Sequence, residues 1–321
     1  MAFRFEPDEN LQEAVSRCAR EQLDRAVREL SEDIDTDPVT AVHSARKALK
    51  KERALLRVAH GAIPATERRR QQSVLRAAAR SLSEARESEA LIHTLDELAG
   101  QFAGQVPAST FAAVRGRLEL ARARERVRLV TVTRNNDAVQ ELGAACLRVD
   151  DMRLRADSWQ ALDRGVRRTY RRGRAAMHRA RQAPSSIALH TWRKRVKDLW
   201  YVLRLLGPVC GPAVRGQAKD ADRLAELLGD DHDLAALADS LRGEVGRAPV
   251  DLAPLRGLID HRRAQLEAEA FAVGERLYAE KPKAFRRRLR QMWSAGRSLA
   301  SASRHDDPSE LAELTRAGVA A

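Results

Sequence analysis

Three scarcities narrow this 321-residue chain before any motif is read. Cysteine occurs only as Cys18, Cys146 and Cys210. Three widely spaced thiols fit a reducing compartment and supply neither a disulfide framework nor a zinc site. Aromatic residues make up only 4%, which leaves few rings on which nucleic-acid bases could stack. No run of about 20 apolar residues exists, so no membrane span is expected. The start, Met1-Ala2-Phe3-Arg4-Phe5, lacks the apolar core of a secretory signal. Also missing are a glycine-rich phosphate loop, a nucleophile elbow and a paired Cys/His set. The expectation is a soluble, cytoplasmic, noncatalytic protein with no metal or other cofactor.

What the chain has is positive charge on helical sequence. Lys and Arg total 58 against 45 Asp and Glu, a net charge of +13, which calls for an acidic partner. Arg, Ala, Leu and Glu dominate, and all are good helix formers, so the expected class is all-α.

One short pattern occurs twice. His43-x-x-Arg46-Lys47-x-x-Lys50 is followed by Arg57, and 147 residues later His190-x-x-Arg193-Lys194-x-x-Lys197 is followed by Arg204. On an α-helix these five positions project within an arc of about 100°. Each copy is a rail of four cations with a histidine at its N-terminal end. Like charges at i, i+3 and i+4 weaken an isolated helix, so two such rails point to an anionic ligand. Val42, Leu49 and Leu56 match Leu189, Val196 and Leu203 at the same offset. They lie largely opposite the rail and should face a core.

Breakers divide the chain into amphipathic segments. Helices are expected at about 8–33, then from Pro38 (with Asp37 as N-cap) to Gly61, from Pro64 to Gly104, and from Pro107 to about 134. A less regular stretch near 135–156 should separate two halves. The second half repeats the plan at 157–182, from a Ser185 or Ser186 cap to Gly207-Pro208, then 212–243 and 252–280. A short helix near 284–298 and a frayed tail follow. Ser83-Glu84-Ala85-Arg86-Glu87 lines up with Gly229-Asp230-Asp231-His232-Asp233. The reading is two four-helix units related by duplication, 1–147 and 157–300, joined by a linker at 148–156 and ending in a disordered tail at 301–321.

These residues resemble a known family. His43-Ser44-Ala45-Arg46-Lys47-Ala48-Leu49-Lys50 is similar to the first signature of the CHAD domain, the conserved-histidine α-helical domain. Leu189-His190-Thr191-Trp192-Arg193-Lys194-Arg195-Val196-Lys197-Asp198-Leu199-Trp200-Tyr201 resembles its second. Leu228-Gly229-Asp230-Asp231-His232-Asp233 resembles its turn after the third helix of a repeat, where Arg-Asp or Asn-Asp is more usual. Lys281-Pro282-Lys283-Ala284-Phe285-Arg286-Arg287-Arg288-Leu289 is similar to its C-terminal end. The resemblance covers roughly 8–295. It implies two pseudo-symmetric four-helix bundles around a basic surface, with a short extra C-terminal helix, and binding of inorganic polyphosphate, often at polyphosphate granules. It also implies that His43, Arg46, Lys47, Lys50, His190, Arg193, Lys194 and Lys197 contact phosphate. The Glu-x-Glu-x-Lys motif of the hydrolase domain sometimes fused to this family is absent.

The chemistry of the residues fits that implication. A rigid row of Arg and Lys can meet successive phosphates, Arg through paired hydrogen bonds and Lys as a point charge. Eight engaged cations, Arg57 and Arg204 included, would give a log-log salt slope of about −5 to −6. A dense phosphate field favours imidazolium, so affinity is expected to rise as pH falls through about 6.5. Tyr201, within the second rail, would either reach a phosphate or cover the lysine stems. Arg167, Arg171, Arg174, His178 and Arg181 form a third stripe on the preceding helix, read either as a widening of the track or as ordinary surface. Asp230, Asp231, His232 and Asp233 read as a helix terminus or partners for arginine ahead of a metal site. Nucleic acid is the weaker alternative partner, because the rails lack stacking rings. A magnesium-dependent enzyme acting on phosphate polymers is the other alternative, with Glu84, Glu87, Asp230 and Asp233 as its only repeated carboxylates.

Overall fold

The computed structural model describes residues 3–82, 87–134, 138–242 and 251–305. Among them are eleven α-helices and no strand. The first six are α1 (Leu11–Ser31), α2 (Pro38–Val58), α3 (Ala65–Ser81), α4 (Glu87–Gln101), α5 (Ala108–Arg134) and α6 (Ala138–Asp151). The remaining five are α7 (Trp159–Gln182), α8 (Ser186–Cys210), α9 (Pro212–Arg242), α10 (Ala253–Leu277) and α11 (Pro282–His305).

Local chemistry sets the helix starts. Asn10 and Glu13 form a reciprocal capping box at α1. Asp37 accepts from the Thr40 amide with Pro38 in the first turn of α2, and Ser185 accepts from the Ala188 amide at α8. The two rail helices bury the matched apolar faces: Val42, Leu49, Leu56, Leu189, Val196 and Leu203 are all at most 3% exposed.

The expected four helical segments per half are present, and the structure corrects their bounds. The long third segment is two helices, α3 and α4. The stretch near 135–156, expected to be irregular, contains α6, which packs on α1; the linker call at 148–156 thus overlaps its last turn. Its apolar residues Leu142, Ala145 and Val149 are at most 2% exposed, a 3–4 spacing that a stretch read for its breakers hides. The last helix, α11, has 24 residues, is not short, and packs on α7 and α8. It extends to His305, into the expected tail, while 306–321 lie outside the described residues. Helix α8 also runs through Gly207-Pro208 to Cys210. Leu205, Leu206, Val209 and Cys210 are buried there, and a proline forfeits only its own amide bond when packing holds the turn together. Adding 147 to the starts of α1, α2, α3, α5 and α6 lands each within three residues of the starts of α7, α8, α9, α10 and α11, while the ends differ by four to seven residues, with α4 taken as the end of the α3–α4 span.

Helix α2 packs against both α7 and α8, bringing the two halves together, and α4 meets α9. The approach is tight at Gly165 of α7, where an added Cβ would lie 2.0 Å from the Val58 carbonyl oxygen. The N-terminal segment ties the halves further. Phe3 and Phe5 are 1% exposed, the Phe5 amide donates to the Leu205 carbonyl at 3.0 Å, and the Phe3 ring meets Tyr201 edge-on at 5.9 Å.

Candidate functional site

Both rails lie on the central helices, and each faces the next helix of its own half. In the first, the Arg46 guanidinium donates to the Leu82 carbonyl at the end of α3, at 2.5 Å. In the second, Arg193 lies across Gly229 of α9, so close that a Cβ there would sit 2.9 Å from a guanidinium nitrogen. Positions 82 and 229 are themselves 147 apart. Lys47, Lys50 and Lys194 are exposed, while His43, Arg46, His190, Arg193, Lys197 and Arg204 are half-buried. Each rail is therefore an exposed lysine edge backed by cations that rest on neighbouring backbone.

His190 stacks on His232 of α9 with ring centroids 4.1 Å apart. Burial, followed by the adjacent His232, Lys194 and Arg193, pushes His190 down to about 4. Burial and Arg193 likewise lower His232, against the pull of Asp233 and Asp231. In the unliganded protein these surroundings hold His190 in its neutral form at ordinary pH. His232 thus gains a partner, while its counterpart segment at 83–87 lies outside the residues whose side chains are described. The acidic residues beside it sit inside α9 and not at its end, and Asp231 accepts from Arg263 at 2.8 Å.

Several expected contacts are redirected. Arg57 ion-pairs with Asp198 of α8, and Arg195 reaches the other oxygen of the same carboxylate at 2.9 Å. Burial lowers Arg57 while Asp198 draws it up, and Arg53, Arg195 and Arg172 crowd it with like charge. Arg57 is thus a strut between halves and no longer a free rail cation. Lys197 stands 3.5 Å from Asp222 and 4.4 Å over the Trp200 ring. Arg204 lies 4.9 Å from that same ring. Tyr201 is 5% exposed, its phenol pushed up to about 12 chiefly by burial. It packs on Phe3 and Trp200 and offers almost no surface to a ligand.

The α7 stripe divides. Arg171 and His178 are exposed and Arg174 is half-buried, and Arg181 pairs with Glu275 at 2.5 Å. The α7 cations drawn toward the central helices are others. Arg168 meets His60 at 2.9 Å, and Arg172 belongs to the Arg57–Arg195–Asp198 group, lowered by burial and then by Arg195. Sequence spacing missed these two because they lie beside the stripe; the signal was Gly165, whose small size admits α7 onto the end of α2.

A CHAD domain family model matches residues 9–242. The chain belongs to the CHAD domain family. The crystal structure of the CHAD domain from the plant Ricinus communis is similar in fold, with a TM-score of 0.53 at 16% identity, over 90% of this chain and 94% of that one. No curated protein matches the chain in sequence. The structural match takes in more of this CHAD chain than the family model does. No helix among the described residues is long and apolar enough to cross a membrane.

Proposed function

We propose that this CHAD domain binds inorganic polyphosphate along the two rails without altering it chemically. The observation that carries the reading is the character of the exposed edge: Lys47, Lys50 and Lys194, backed by Arg46 and Arg193, with the tryptophans of the second rail buried or already covered. Trp192 is 0% exposed, and the Trp200 ring is occupied by Lys197 and Arg204. A cationic track whose rings are already covered suits a polymer without bases better than single-stranded nucleic acid. Attachment to polyphosphate granules in the cytoplasm follows as the setting for such a module.

The test is a titration of long-chain polyphosphate and of length-matched single-stranded DNA at several salt concentrations. It compares the wild type with a variant in which Arg46, Lys47, Arg193 and Lys194 are all alanine. Tight polyphosphate binding, weaker DNA binding and collapse in the variant support the reading. Equal affinity for both polymers, or a variant that binds as the wild type does, would leave a merely basic surface.

A further inference from the structure

Away from the rails, α11 and the start of α7 enclose a cleft of about 670 Å³. Its floor is Trp159 and Trp293, with ring centroids 6.1 Å apart. The two carboxylates in its wall are engaged within the fold. Asp163 accepts from the Trp159 indole at 2.9 Å and from Arg286 at 3.2 Å, and Asp157 accepts from the Gln12 amide at 2.9 Å. The α11 cations are not matched in the same way. Arg290 is exposed and has no ion-pair partner among the described residues. Arg297 donates from one nitrogen to the Pro7 and Glu9 carbonyls, which leaves its charge without a carboxylate.

The chain itself supplies the complement. Helix α11 carries lysine or arginine at seven positions and no carboxylate. The segment that follows it opens Asp306-Asp307-Pro308-Ser309-Glu310-Leu311-Ala312-Glu313-Leu314, and Arg316 is its single cation up to residue 321. Carboxylates directly after a helix C-terminus are on the unfavourable side of its dipole, and they gain by turning back along the cationic face. The reach is sufficient. At about 1.5 Å per helical residue, Arg297 and Arg290 lie about 12 and 22 Å back from His305. At about 3.3 Å per extended residue, Glu310 and Glu313 can span about 16 and 26 Å from it. Carboxylates and arginines thus meet in antiparallel order, with Leu311 and Leu314 beside them to cover the indole floor. Tethering adds an effective concentration on the order of millimolar.

We propose that the α7–α11 cleft is a docking site for an acidic peptide, and that its occupant is the chain's own 306–314 segment, with Glu310 against Arg297 and Glu313 against Arg290. Docked there, the segment straps α11 to α7. None of the lining residues belongs to a rail, so the cleft seats four carboxylates where they leave the lysine edges open.

The test is digestion of the full chain by a glutamate-specific protease, with the rate of cutting after Glu310 followed by mass spectrometry. Cutting should be about tenfold slower in the wild type than in Arg290→Glu, since it tracks the undocked population. It should likewise be about tenfold slower in the double swap Arg290→Glu/Glu313→Arg than in Glu313→Arg alone. Each pair shares one tail sequence, so the protease's own preference cancels, and both differences should shrink in about 1 M salt. Equal rates within both pairs would overturn the inference. Protection that survives Arg290→Glu but is lost when Arg46, Lys47, Arg193 and Lys194 are alanine would overturn it too, because the segment would then lie on the rails. A labelled peptide matching 306–316 gives an independent reading. Added in trans, it should bind more tightly to the Asp306→Asn/Asp307→Asn/Glu310→Gln/Glu313→Gln chain than to the wild type, whose cleft is filled. Equal binding to both would mean that the cleft stands open to a separate partner, and the proposed occupant would be wrong.

Discussion

Glu52 offers the sharpest stability test of the fold. It lies on α2 at 0% exposure, neither carboxylate oxygen has a hydrogen-bond partner, and burial alone pushes it from 4.5 to about 8. The folded protein therefore holds this proton where the unfolded chain has released it. Stability is fully present below about pH 4.5 and is lost as pH rises toward 8. At about 1.4 kcal/mol per pH unit, the whole window corresponds to about 5 kcal/mol, with roughly 3 kcal/mol of it lost by pH 7. Water entry and relaxation around the carboxylate make these upper figures. Glu52→Leu and Glu52→Gln remove the titration. Urea unfolding at pH 5, 6, 7 and 8 should show each variant gaining on the wild type as pH rises. At about 2–4 °C per kcal/mol for a chain of this class, the melting gap should widen by several degrees. A gap that does not change between pH 5 and pH 8 would refute the reasoning, because it would mean that the carboxyl is solvated or paired in solution.

Other expectations follow from the site and the interface. Setting aside Arg57 and Lys197, which face Asp198 and Asp222, leaves six rail cations. The log-log salt slope for polyphosphate should be about −4; a slope near −1 would mean that the rails are not used. The His190 imidazole, followed by NMR in the unliganded protein, should titrate near its lowered value of about 4. A midpoint near 6.5 would contradict the stacked His190–His232 arrangement. Gly165→Ala should destabilise by about 3 kcal/mol, since its methyl would meet the Val58 carbonyl, a backbone group that cannot turn away. Unfolding midpoints for that variant at wild-type m-value measure the effect, and a change within about 0.5 kcal/mol would show that α2 and α7 can separate freely.

Much of the fold was legible because it depends on local chemistry. Asp37-Pro38 and Ser185 start the two rail helices as read, since a capping side chain and a proline act within one turn. The buried faces of α2 and α8 were legible for a similar reason: Val42, Leu49 and Leu56 keep a helical period whatever they pack against. Helix α6 and the full length of α11 were not, because both are held by packing on α1 and α7 more than by strong end signals. The break between α3 and α4 was missed as well, in sequence that carries neither glycine nor proline.

Sequence alone determined that two cationic rails exist, because the angular positions of His43, Arg46, Lys47 and Lys50, and of their counterparts, are properties of a single helix. It could not determine which of those charges remain available to a ligand. That depends on groups distant in the chain: Asp198 claims Arg57 across the junction between halves, Asp222 faces Lys197 from the next helix, and Phe3 covers Tyr201 and Lys51. A charge pattern follows from helix periodicity, whereas its neutralisation depends on where other helices bring their carboxylates, and only the tertiary structure decided that.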